Sequence, residues 1–364
     1  MNERERALAV LSSRKPDRIP WYADLAYWTT YLNADNLMPA KYEGDGIYQL
    51  HRDLGTGFYL QGFFPFHEIH DYQETIERQG HTRITRINTP YGEIQQVEAW
   101  IPEAFCWAWP EKYVKSWRDL KALRYVFEHT HYEPDYQLAA DRYDLIGDNG
   151  IVLCYLPRSP FMVTTVLLAG IQAVTFAIAD ARDEFDETMA VLTQNLDVAS
   201  DLAVNSPAEC LMIPDNISSE VVGKNLYETY VRPFHEKWTT RIREANKISC
   251  VHMDGTLRGL VREISDAGFD FLEAMTPHPV GDLPVEEWVN WINDKAVMWG
   301  GIPGVYFTDL VSDEEFDAFV IRLLETMTSE PRYVLGVADQ VPPQSRWERI
   351  ARVRPLVEKY GRYD

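Results

Sequence analysis

The chain has 364 residues, 46% hydrophobic and 25% charged, and its 35 lysines and arginines face 56 aspartates and glutamates for a formal charge of -21. That composition excludes a disordered chain and supports a sizeable core. The negative excess works against nucleic acid and anionic membrane as partners.

Glu3 to Ser13 has helical spacing and alternating charge without the apolar core of a signal peptide. Pro16 and Pro20 then bracket a turn around the first strand-like run, Ile19 to Leu25. A second strand is predicted over Gly57 to Phe64, and Thr82 to Trp100 reads as a β-hairpin turning at Thr89-Pro90-Tyr91-Gly92. Tyr113 to Phe127 is an amphipathic helix with Lys115, Arg118, Asp119 and Lys121 on its polar side.

Strand and helix alternate from there on. The apolar runs are Ile151 to Leu156, Glu209 to Ile213, Ile248 to His252, Asp270 to Met275, Ala296 to Ile302 and Arg332 to Val337. Helical stretches separate most of them: Asp183 to Val204, Tyr227 to Ala245, Thr256 to Ala267, Pro284 to Asn293 and Asp313 to Ser329. This alternation implies a parallel sheet with helices outside it. With the two early strands the count reaches that of a (β/α)8 TIM barrel, an α/β fold in one domain over 1–364, with an N-terminal extension and a hairpin insertion near one mouth. A doubly wound sheet is the alternative, but the glycine-rich turn of a dinucleotide site is missing after the first strand.

Phe161 to Ala179 is apolar enough for a membrane span, yet its threonines, Gln172, Gly170 and lack of a basic flank favour a buried or interface helix. Cys106, Cys154, Cys210 and Cys250 show no CxxC spacing, so a reducing, cytoplasmic setting is expected.

Catalytic groups of barrels gather at the carboxyl ends of strands. The polar residues there are Asp24, Arg158, Asp215 with Asn216, His252 with Asp254, Glu273, and Asp339. His252 and Asp254 stand two apart in VHMDG and so share a side of a strand, as a metal-donor pair or a hydrogen-bonded structural pair. Glu273 and Asp339 add acidic groups whose mutual repulsion a cation or bound proton would relieve. Aromatics crowd the first strand and loop (Trp21, Tyr22, Tyr27, Trp28, Tyr31) and the second (Phe63, Phe64, Phe66, beside His67). They are packing material or the lining of a pocket for a planar or methylated cationic ligand.

The run KPDRIPWY, then TPYGEIQQ, EKYVKSWRDLKAL, LPRSPFMVTTVLLAG, IPDNISSEVVGKNLYETYVRPFHEKW, VHMDGTLRGLVREISDAGFDFLEAMTP, VMWGGIP and VLGVADQVPPQSRWERI together resemble the uroporphyrinogen decarboxylase and cobalamin-dependent methyltransferase superfamily, whose fold is the (β/α)8 barrel. The first loop, YADLAYWTTYLN, lacks the arginines of true decarboxylases. The methyltransferase branch implies zinc held by a His-x-Cys and a later cysteine. His252 keeps the histidine here, while Asp254 and Asp339 take the cysteine positions.

Hard oxygen donors leave a metal a stronger Lewis acid, suited to pulling on an ether or phenol oxygen. The resemblance therefore implies methyl transfer from a small, methoxylated aromatic donor to a corrinoid carried by a partner protein. Its divalent metal, zinc, is expected on His252, Asp254, Glu273 and Asp339. Asp215, Asn216 and Glu273 are the expected catalytic groups, and Trp21, Tyr22, Trp28, Phe63, Phe64, His67 and Arg158 the substrate contacts. Homodimerisation is a further expectation. A decarboxylase-like lyase, a metal-dependent hydrolase and a non-catalytic binding barrel stay open as alternatives.

Overall fold

The computed structural model describes residues 1–59 and 62–363. Its strands, in chain order, are β1 (Trp21–Tyr22), β2 (Phe66–His70), β3 (Gln73–Gln79), β4 (Thr82–Thr89), β5 (Gly92–Ile101), β6 (Cys106–Glu111), β7 (Thr130–Pro134), β8 (Leu153–Tyr155), β9 (Cys210–Ile217), β10 (Ile248–Met253), β11 (Phe271–Met275), β12 (Val297–Pro303) and β13 (Tyr333–Ala338). Seven of them form one parallel sheet in the order β1-β13-β12-β11-β10-β9-β8. β11, β12 and β13 are buried at every residue, as expected of parallel strands covered on both faces.

Alternate residues of these strands divide between two cores. Tyr22, Leu153, Cys210, Met212, Cys250, Phe271, Trp299 and Val334 meet on the inner face. Their sequence neighbours Leu211, Ile213, Val251, Leu272 and Leu335 pack outward with the helices. The sheet curls around the inner group, for the Trp299 ring lies 5.0 Å from Tyr22 of β1 and 5.0 Å from Phe271 of β11. The result is a curled parallel half-barrel within a mixed α/β fold.

Short parallel bridges join Gly57 to Tyr22 and Phe58 to Gly150. Residues 57–58 thereby touch both edges of the sheet, the Gly57 amide donating to the Trp21 carbonyl at 2.8 Å and the Phe58 amide to Asn149 at 2.8 Å. The strand expected over 57–64 is represented by these bridges, with residues 60 and 61 outside the described set.

The expected hairpin is β4–β5, with Thr89 opposite Gly92. It is the middle of a larger antiparallel sheet, β3-β4-β5-β6. That sheet rests on the helix Leu120–Glu128 through Ile87, Ile94, Ala122 and Val126. β2 and β7 form a separate two-stranded ribbon. The apolar stretch 161–179 is broken into a short helix at Pro160–Val163, a π-helical turn at Thr164–Leu168 and a helix at Ile171–Asp180. Gly170 separates them at φ 83°, a conformation that favours glycine. Among the described residues no helix is long and apolar enough to cross a membrane.

A Cβ on Gly150 would stand 1.8 Å from the Phe58 carbonyl oxygen. Gly150→Ala is expected to destabilise the protein by about 2–3 kcal/mol, since backbone must shift to admit the methyl. Urea unfolding of the two proteins measures this, and an unchanged midpoint would contradict the bridged position of 57–58.

Candidate active site

Parallel pairing of β10 with β11 sets His252 directly beside Glu273. Both side chains therefore leave the sheet on the same side, and His252 Nδ1 lies 2.5 Å from Glu273 Oε2. The other carboxylate oxygen accepts a 2.7 Å hydrogen bond from the Tyr59 hydroxyl. On its far side His252 Nε2 lies 3.6 Å from Asp339 Oδ1, at the end of β13. Tyr59, Glu273, His252 and Asp339 thus form a chain from the inner core to the mouth. Glu273 and Tyr59 are fully buried, whereas the Asp339 side chain is 53% exposed.

Charge follows from this placement. Burial disfavours the His252 imidazolium, but Glu273, Asp339 and Asp254 outweigh it and push its pKa up to about 9. Asp339 rises to about 6 through desolvation within the mouth and the negative charges of Asp254 and Glu273, against the pull of His252. Asp24 is held well above the carboxylate range by burial, reinforced by Glu273 and Asp339, although the Ala26 amide donates to it at 2.8 Å. The mouth therefore favours a proton on the imidazole and holds the carboxyls of Asp24 and Asp339 above their ordinary range.

The backbone is bent at the same strand ends. Asn216 (φ 51°), Ala274 (φ 62°) and Asp339 (φ 78°) all occupy the left-handed region. Asparagine and aspartate adopt it readily, whereas at Ala274 it costs of order 1–3 kcal/mol, a strain that collects where the surroundings enforce it, often at functional sites.

The structure separates the expected site residues into three groups. His252, Glu273 and Asp339 come together, and Asp254, exposed beside them, adds its charge. Asp215 does not face the mouth: it is fully buried, accepting from the Ser159 amide at 2.7 Å and the Ser159 hydroxyl at 2.9 Å, with His235 Nε2 at 2.7 Å. Its contacts brace the loop after β8. Asn216 accepts from Arg158 Nη2 at 2.8 Å.

Trp21, Tyr22 and Trp28 need correction too, because all three are core residues at 1% exposure or less. Tyr22 donates its hydroxyl to the Glu3 carbonyl, and Trp28 packs on Trp347 at 5.0 Å. Phe63 sits under the Arg142 guanidinium. Phe64 is exposed against Tyr155, and His67 is an exposed partner of Asp135 at 3.2 Å.

Tyr59 was not singled out from the sequence, nor were Ser159 and His235. The aromatic run around residue 59 was the available signal for the first; the other two carry none.

Glu273 has both oxygens engaged, so it stands behind His252 and orients it, as carboxylates do behind metal-binding histidines. One imidazole nitrogen with the oxygens of Asp254 and Asp339 is a donor set whose chemistry fits a divalent ion of the zinc type. Among the described residues, however, no three such groups are drawn together at coordinating distance.

Residues 119–360 match the family described as uroporphyrinogen decarboxylase (URO-D). The chain belongs to the uroporphyrinogen decarboxylase family. The match starts at Asp119, so β1 and the four-stranded sheet lie before it. Among solved structures, a methyltransferase from Methanosarcina mazei is similar over 99% of both chains, at 13% identity and a TM-score of 0.64. That likeness establishes the fold. An FMN-binding beta-glucuronidase from Facaelibacterium prausnitzii L2-6 aligns over 73% of this chain and 46% of its own at 9% identity, but a TM-score of 0.29 leaves no shared architecture to argue from. No curated protein matches the chain.

Because His252 binds its proton more tightly when folded than the ~6.5 of a free histidine, its stabilisation is complete below that pH and is lost as pH rises through about 9. The melting-temperature gap between the wild type and His252→Gln is expected to be widest at and below about pH 6.5, to narrow as pH rises from there to about 9, and to change little beyond it. A gap that widens with pH would refute the charged imidazole.

Proposed function

We propose that this member of the uroporphyrinogen decarboxylase family is a methyltransferase that passes a methyl group from a small methoxylated donor to a corrinoid held by a partner protein. The observation that carries the reading is the orientation of His252, with Nδ1 against buried Glu273 and Nε2 turned to the mouth beside Asp339. The similarity to a methyltransferase over 99% of both chains supports it. We also read the sheet as a full (β/α)8 barrel, with residues 57–58 as the eighth strand between β1 and β8, which the two bridges support.

His252, Asp254 and Asp339 would hold the divalent ion, zinc, and when bound it would act as a Lewis acid on the donor's ether oxygen. Tyr59 fixes Glu273, and Glu273 fixes the imidazole plane, so that Nε2 cannot turn away from the mouth. Asn216 holds Arg158 at the substrate's flank. The corrinoid of the partner protein would supply the acceptor for the methyl group as the ether C–O bond breaks, and the departing oxygen would take its proton from solvent. The exposed rim over residues 62–70, carrying Phe64 and His67, is where the corrinoid protein would dock. A homodimer of the chain is part of the same proposal.

A metal-free lyase is the second reading, favoured by the position of His252 between Glu273 and Asp339, whose negative charges hold a proton on the imidazole and suit it to act as a general acid. The two readings part on metal. A divalent ion must displace the proton from His252, so zinc affinity of the purified protein should rise about tenfold per pH unit between pH 7 and 9. Methylation of cob(I)alamin by a methoxylated arene should fall at least ~100-fold in His252→Ala, followed by the cobalamin absorbance. Full activity in that variant, from protein holding no metal by elemental analysis, would remove the methyl-transfer mechanism.

A further inference from the structure

A cavity of about 410 Å³ lies beneath the four-stranded sheet, between β2, β4, β5 and the helix Leu120–Glu128. Its size falls within the roughly 300–1,000 Å³ of small-molecule sites. Phe64, Phe66, Tyr132 and Val163 supply apolar wall. Glu68 and Glu74 also border it; both reach solvent, and burial of the Glu68 carboxyl holds it above the ordinary carboxylate range, which lessens its negative charge.

Arg158 enters from the loop after β8 and is the one arginine or lysine among the described lining residues. Its Nη2 is committed to Asn216. Its Nε is buried and has no hydrogen-bond partner. The nearby Asp215 cannot serve it, since Ser159 and His235 occupy that carboxylate. A buried guanidinium with an open donor is costly, and the planar fork of arginine is made for a carboxylate. Tyr155 packs on Phe64 of the cavity wall, ring to ring at 5.5 Å, while His252, Asp254, Glu273 and Asp339 lie outside the lining.

We propose that the cavity binds an apolar carboxylic acid, aryl or alkyl, as its anion, with the carboxylate on Arg158 and the hydrocarbon against Phe64, Phe66 and Tyr132. The inference names the substrate class of the methyl-transfer reading and rests on it only for the chemistry that follows binding. The sheet that roofs the cavity precedes the segment matched to the family. Substrate choice would thereby be set partly by a segment that lies outside the residues matched to the family.

Calorimetric titration of the full-length protein with 4-methoxybenzoate, hexanoate and 4-methoxybenzamide tests this, with no metal or cobalamin added. At least one of the two anions should bind, with 4-methoxybenzoate about tenfold tighter than its uncharged amide. Arg158→Met should weaken the anion about tenfold, and Val163→Phe, which fills the cavity and leaves Arg158 in place, should do the same. Circular dichroism checks that both variants fold; should Arg158→Met fail to fold, Val163→Phe and the anion–amide comparison in the wild type decide. Equal binding of anion and amide, full affinity in a folded variant, or no binding by either anion overturns the proposal. Absent methyl transfer beside intact anion binding would sink only the methyl-transfer reading. Methylation of cob(I)alamin from a neutral methoxyarene, without anion binding, would sink only the cavity assignment.

Discussion

The contact between His252 and Glu273 is the constraint on which the rest of the site depends. Two ionisable groups stand side by side on adjacent strands, at the top of an interior otherwise filled by Tyr22, Phe271 and Trp299. Desolvating such a pair costs several kcal/mol per ion, which their attraction repays only when the remaining valences are also satisfied. Tyr59 meets that condition for Glu273 from below, and Asp339 faces the imidazole from above. The pair thus converts strand register into a fixed direction for one imidazole nitrogen.

The same logic holds one strand pair away. Asp215 is surrounded by Ser159 and His235, with the Tyr227 hydroxyl 3.3 Å from the other imidazole nitrogen. This network has no outlet to the mouth. Its effect is transmitted to Asn216, the next residue, and through it to Arg158. Two buried carboxylate–imidazole pairs therefore stand close in topology, one reaching the mouth and one bracing the loop that holds the arginine.

Much of this was legible in the chain. The runs at 210, 248, 271, 297 and 333 were recognisable because fully buried parallel strands are continuous apolar segments, and His252, Glu273 and Asp339 stood out because polar groups end them. Partners were not legible: Tyr59 and Glu273 are 214 positions apart, and nothing local to either announces the other. Nor could the sequence separate an aromatic at the mouth from one in the core. Trp21, Tyr22 and Trp28 sit on the first strand and its following helix, where burial is decided by distant neighbours such as Trp299 and Trp347. β3 carries no strand signal in the sequence, because it is exposed at every residue and offers no apolar alternation to read.

The left-handed backbone at Asn216 and Asp339 restricts which side chains these positions can exchange. Asparagine and aspartate visit that conformation readily, whereas most L-residues pay ~1–2 kcal/mol to do so. Position 339 can therefore drift cheaply among aspartate, asparagine and glycine, but a cysteine there would work against the chain's own geometry. A thiol in place of Asp339 would carry that cost in the main chain, as Ala274 already does at φ 62°.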